Sequence, residues 1–188
     1  MTTLMTLWLP ILLSAVFVFV TSSVIHMVIQ WHKADYKVLN DEAKVLDALR
    51  AAKVGPGEYM FPGCNSMKDM GSPEMQAKFA QGPVGSVIVR PAGSFNMGKS
   101  LGQWFLLCLF VSACVAWLTL QARLPGAPAG DIFKISFGAA FLGHALTHVD
   151  EAIWKGLPWG IVMRFTIDGL AYAAVTAGTF AWLWPASF

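Results

Sequence analysis

The chain reads as an all-α membrane protein: a four-transmembrane-helix bundle with one sizeable loop between the first and second helices. Three observations predict this. Four stretches are apolar over about 20 residues, the length that matches a roughly 30 Å hydrocarbon layer. The eight tryptophans, Trp8, Trp31, Trp104, Trp117, Trp154, Trp159, Trp182 and Trp184, all lie near the ends of those stretches, where an indole finds both an apolar bed and a polar partner. Charged residues make up only 13% of the 188 positions and apolar ones 56%, against about 25% charged in ordinary soluble domains.

Taken in order, the expected spans are residues 4–31, 101–121, 132–154 and 159–184, with an extramembrane loop at 32–98, all in one membrane domain. The runs lack the strict alternation of barrel strands, so helices are the remaining way to satisfy the backbone in lipid. The first span is not read as a cleaved leader. No Lys or Arg precedes it, its apolar run exceeds a signal core, and no A-x-A-like site follows. Basic residues stay cytoplasmic in short loops. Lys33, Lys37 and Lys99 flank the first connection and Lys155 sits between spans three and four, against Arg123 and Lys134 on the other side. Both termini are therefore expected outside, and the 32–98 loop in the cytoplasm.

Within that loop, residues 40–54 predict an amphipathic helix. Asn40 caps it, Asp41 and Glu42 suit its positive end, Leu39, Ala43, Leu46 and Leu49 share a face, and Gly55-Pro56 stops it. Ser72-Pro73-Glu74 starts a second short helix that Gly82-Pro83 ends. Residues 58–61 and 86–90 suit a small two-stranded ribbon.

Several function classes drop out. The basic residues form no run or stripe, which excludes a nucleic-acid surface. Gly98-Lys99-Ser100 enters a membrane helix rather than following a strand, so it is not a phosphate-binding loop. The three cysteines, Cys64, Cys108 and Cys114, show no C-x-x-C or C-x-x-C-H spacing. Cys108 and Cys114 read as packing residues. Met60, Met67, Met70 and Met75 crowd the loop with Cys64; soft sulfur ligands suit Cu(I), although Met also serves as a gap filler.

The chemistry lies in ionisable residues inside the spans. On a continuous third helix His144, His148 and Glu151 would share one narrow arc. Arg164 and Asp168 stand one turn apart on the fourth and are expected to pair; His26 closes the first. In hydrocarbon each such group costs about 2.5–3.5 kcal/mol and must face a partner. Three readings compete. One is a structural hydrogen-bond network in an accessory or structural subunit of a larger membrane complex, bound to other membrane subunits or to copies of itself. The second is a transition-metal site on His26, His144, His148 and Glu151, or a haem b held by His26 with His144 or His148 from opposite sides. The third is proton or ion handling, which an Arg164 cation beside Asp168 and unbroken helices would oppose. Gly169, Ala173 and Ala177, with the offset pair Ala174 and Gly178, fit small-xxx-small packing.

Gly98-Lys99-Ser100-Leu101, Gly82-Pro83-Val84, and Asp168-Gly169-Leu170 on through Thr176-Ala177-Gly178-Thr179-Phe180 to Trp182-Leu183-Trp184-Pro185 resemble a group of bacterial four-helix inner-membrane proteins without an assigned activity. The likeness runs over nearly the whole length. It implies a multi-pass inner-membrane architecture and no particular chemistry.

Overall fold

In the computed structural model, which describes residues 4–64 and 66–186, helix dominates and every long apolar run is helical. Four helical stretches, Leu4–Ile29, Met97–Ala122, Ala129–Lys155 and Trp159–Leu183, are long and apolar enough to cross a bilayer. At 1.5 Å per residue their 25 to 27 residues reach about 37–40 Å. This is the architecture of a multi-pass membrane protein. The chain divides into two compact units.

The first unit gathers residues up to Tyr36, Asn96–Ala152 and Leu157 onward. Its first span is a 3₁₀ turn at Leu4–Leu7, helix α1 (Trp8–Ser23) and a π turn at Val24–Ile29. The expected end at residue 31 is corrected here: Gln30 takes the left-handed conformation, φ 54°, and a 3₁₀ turn at Trp31–Asp35 follows. After the second unit, α4 (Met97–Ala122) begins four residues earlier than its apolar run because Asn96 caps it, the Oδ1 accepting from Lys99 N–H at 3.0 Å. The third span is not one helix. α5 (Ala129–His144) ends, residues 145–148 are irregular, and α6 (Val149–Lys155) resumes.

The break packs against the fourth span, α7 (Trp159–Leu183). A Cβ added at Gly169 would lie 2.4 Å from Ala145 Cα and 2.7 Å from its Cβ and N, so α7 meets the break backbone to backbone. Thr166 Oγ1 donates to the freed Ala145 carbonyl at 3.2 Å, which satisfies a group that lipid would leave stranded. Gly169, Ala173 and Ala177 are buried, as small-xxx-small packing expects, while Ala174 and Gly178 face outward.

α7 packs on α5 and α1, and α4 on α1 and α5. Leu7, Val115, Ile132, Ala173 and Phe180 form one apolar cluster; Ala15, Val18, Cys108 and Tyr172 form another. Cys108 is buried and Cys114 exposed. Hydroxyl pairs stitch the helices: Ser14 Oγ donates to Ser112 Oγ at 2.9 Å, and Thr119 and Ser136 hydroxyls meet at 3.1 Å. Trp104 donates its indole N–H to Ser22 Oγ at 2.9 Å, between α4 and α1.

The second unit, Lys37–Phe95 with Ile153–Gly156, holds α2 (Glu42–Ala51), β1 (Gly57–Phe61), α3 (Pro73–Gln81) and β2 (Gly85–Val89). The strands pair antiparallel, Gly57 opposite Val89 and Phe61 opposite Gly85. Ser72 caps α3 through Met75 N–H at 3.2 Å, and Gly82, φ 60°, ends it. Lys155 bonds Glu58 at 2.9 Å. Asp41, not Asn40, occupies the start of α2, with no side-chain cap bond.

Candidate metal centre

The reversal at Gln30 carries His32 and Asp35 back onto the bundle instead of out into the loop. His32 becomes almost fully buried, with its Nδ1 2.7 Å from Asp35 Oδ2 and its Nε2 2.7 Å from Asp168 Oδ2. Arg164 donates to the other Asp35 oxygen. His26 stacks on His32, ring centroids 4.9 Å apart and 9° from parallel, and its Nε2 stands 3.9 Å from Asp168 Oδ2. Phe165 lies on His32 at 4.5 Å.

The expected Arg164–Asp168 pair is corrected by this geometry. Each takes a different partner: Arg164 goes to Asp35 and Asp168 to His32. A planar guanidinium at the mouth of α7 meets the carboxylate that the folded-back turn presents, and Asp168, one turn deeper, is left to the imidazole. Asp35 lies beyond the first span; the Arg164 guanidinium beside it holds its carboxyl below the usual range, against the opposing effect of burial and with help from His32.

Proton arithmetic constrains the layer. Two ring-nitrogen contacts to carboxylate oxygens need two protons, whereas neutral imidazole carries one. Arg164 offsets Asp35, and a cation bound between His32 and Asp168 would take the place of the Nε2 proton and offset Asp168, which is what a low-dielectric site demands.

The same atoms suit a cation. His26 Nδ1 lies 3.0 Å from the Ser22 carbonyl and must donate to it, so its lone pair sits on Nε2. Asp35 accepts from His32 Nδ1, so an ion that displaced the proton shared with Asp168 would meet the lone pair of Nε2. Both imidazoles are thus oriented by a second hydrogen bond, as metal-bound histidines are. His26, His32 and Asp168 each bring one ligand atom, and the three lie within 4.8 Å of one another. A tetrahedral site with bonds of 2.0–2.1 Å has ligand edges of about 3.3 Å. An ion would therefore part His32 from Asp168 by about 0.6 Å and draw His26 in by a similar amount.

The set expected from sequence, His26, His144, His148 and Glu151, is not gathered. The break after α5 separates His144 from His148 and destroys their shared face. His144 packs between Trp104 and Tyr172, ring centroids 6.4 and 5.7 Å away, while His148 Nδ1 meets Glu151 Oε2 at 2.7 Å. His26 stacks on His32 and is grouped with His32 and Asp168 rather than with His144 or His148. In the loop, Met75 is buried whereas Met60 and Met67 are exposed, and Cys64 Sγ donates to the Ser66 carbonyl.

Sequence reasoning missed His32 and Asp35 by ending the first helix at Trp31 and assigning residues 32–35 to the loop. The signal was there: a His-x-x-Asp spacing directly at a membrane boundary. No family model, curated protein or solved structure matches the chain.

Proposed function

We propose that this is a membrane metal-binding protein holding a divalent first-row transition metal, zinc or iron(II), on His26, His32 and Asp168. The reading is carried by one observation, the convergence of two Nε2 atoms and a carboxylate oxygen whose imidazoles already donate their other N–H to oxygen. Two imidazoles and a carboxylate are borderline-to-hard ligands that favour zinc or iron(II) over Cu(I), and three protein ligands leave a coordination position open. The side chain of His26 is 43% exposed at the surface of the bundle. Metal analysis of the purified protein tests the reading. One equivalent of metal, lost in His26→Ala, is expected; a metal-free wild type, or retention of the ion by His26→Ala, refutes it.

The setting belongs to the same proposal: a bacterial inner membrane, both termini periplasmic and the 32–98 loop cytoplasmic. The distribution of Lys33, Lys37, Lys99 and Lys155 against Arg123 and Lys134 supports the orientation. The metal layer then lies at the cytoplasmic end of the spans.

A second reading, an accessory subunit of a larger membrane assembly, is favoured by Ala174 and Gly178, which face outward in register for a close helix contact. Gentle detergent extraction that yields only a partnerless monomer would count against it.

A further inference from the structure

Helix α2 is amphipathic and uncovered. At about 100° per residue, Val45, Leu46, Leu49 and Ala52 fall within an arc of about 120°, with Glu42 at its leading end, and Lys44, Asp47 and Arg50 take the opposite side. Among the described residues no other helix or strand packs substantially on α2, and none of its ten residues is buried. The connection that leads into it continues the apolar surface, for Tyr36, Val38 and Leu39 are 78%, 85% and 55% exposed.

A helix this short is marginal in water by itself, because fixing the first turn is unfavourable and few hydrogen bonds follow. Its ion pairs do little to change that. Lys44 meets Asp41 at 2.5 Å and Arg50 meets Asp47 at 2.7 Å, both exposed, where such pairs contribute weakly. The apolar side of α2 therefore needs a cover.

Two short leashes bring a bilayer surface within its reach. Asp35, in the charged layer at the end of the first span, lies seven peptide steps before Glu42, a distance of at most about 25 Å. After α2, residues 52–56 lead to β1, whose Glu58 is bonded to Lys155 at 2.9 Å. Lys155 is the last residue of the third membrane-length stretch. Beside it Ile153 and Trp154 are exposed, and an indole there suits the headgroup level. Both ends of α2 are thus tied to the boundary of the hydrocarbon.

We infer that α2 is an interfacial helix, lying along the surface of the bilayer that the chain itself spans. Val45, Leu46 and Leu49 sink about 5–10 Å into the boundary between headgroups and acyl chains, and Lys44, Asp47 and Arg50 stay in water. The partner is lipid, held by apolar burial rather than by charge. Glu42, Lys44, Asp47 and Arg50 cancel within the helix, so a zwitterionic phosphatidylcholine surface suffices and anionic headgroups add little. This placement rests on the four membrane spans and is independent of the metal.

The test follows amide hydrogen exchange of the full chain in phosphatidylcholine nanodiscs. A parallel sample in phosphatidylcholine vesicles contains a phosphatidylcholine with a diazirine near the head of its acyl chain. Amides of residues 46–52 are expected to exchange at least tenfold more slowly than those of an unstructured chain, and light should attach the lipid to the peptide that holds residues 45–49. Leu46→Ser with Leu49→Ser should remove both signals while the four spans keep their protection, which shows in the same data that the variant folds. Leu46→Ser alone serves where the pair disturbs the fold, and should lower lipid attachment at least threefold. High salt or added phosphatidylglycerol should leave attachment unchanged. Four results overturn the inference: unprotected α2 amides in the wild type, protection without lipid attachment, which would mean a protein cover, attachment that high salt abolishes, or undiminished signals in a folded variant.

Discussion

Replacing Gly169 by alanine tests how the site is positioned. The new Cβ would start 2.4 Å from Ala145 Cα and 2.7 Å from its Cβ and N, whereas carbon atoms rest at about 3.5–4.0 Å. The obstructing atoms are mainly backbone, so no side chain can swing aside, and α7 must retreat from the break by about 1 Å. Overpacking of this kind costs about 1–3 kcal/mol. Because Asp168 is the preceding residue, the same displacement acts on a ligand whose geometry has to hold within about 0.5 Å. Gly169→Ala is therefore expected to lower the thermal unfolding midpoint in detergent, followed by circular dichroism, and to weaken metal binding at least tenfold. An unchanged midpoint together with unchanged affinity would refute the close backbone packing and the role assigned to it.

Arg164→Gln should destabilise the protein by about 2–4 kcal/mol, less than the 3–5 kcal/mol of a fully buried broken pair because the guanidinium is partly exposed; chemical unfolding in micelles measures it. Asp35→Asn in the Arg164→Gln background should recover part of the loss by restoring neutrality, and a strictly additive double variant would contradict the pairing. Acid should act through Asp35. Its folded carboxyl is held below its ordinary range, so its contribution is complete above about pH 4 and is lost as pH falls through the lowered folded value. Unfolding midpoints followed from pH 7 to 3 should decline more shallowly at the acid end in Asp35→Asn than in the wild type.

The spans were legible because hydrocarbon imposes a length and a polarity that local sequence states directly. The small-residue stripe of α7 was legible for the same reason: Gly169, Ala173 and Ala177 repeat at helical spacing, and they are buried. The site was not legible in the same way. His26 and Asp168 stood out as polar residues in apolar runs, but their companions depend on contacts between distant segments. Gln30 reverses the chain and returns His32 and Asp35 to the bundle, and nothing in a single glutamine announces a left-handed turn. The break at residues 145–148 packs against Gly169, about two dozen positions away in sequence, and local sequence does not announce it, so His144 and His148 looked like neighbours on one face when they are not. Arg164 chose Asp35 over Asp168 because the reversal supplied a carboxylate that a four-span diagram leaves in the loop.

X-ray absorption at the edge of the metal found in the purified chain tests the central claim most directly. One ion per chain is expected, with a first shell of nitrogen and oxygen at about 2.0–2.2 Å and imidazole scattering from two histidines, the histidine signal falling in His26→Ala. A shell of sulfur at about 2.3 Å, or no bound ion at all, would contradict it.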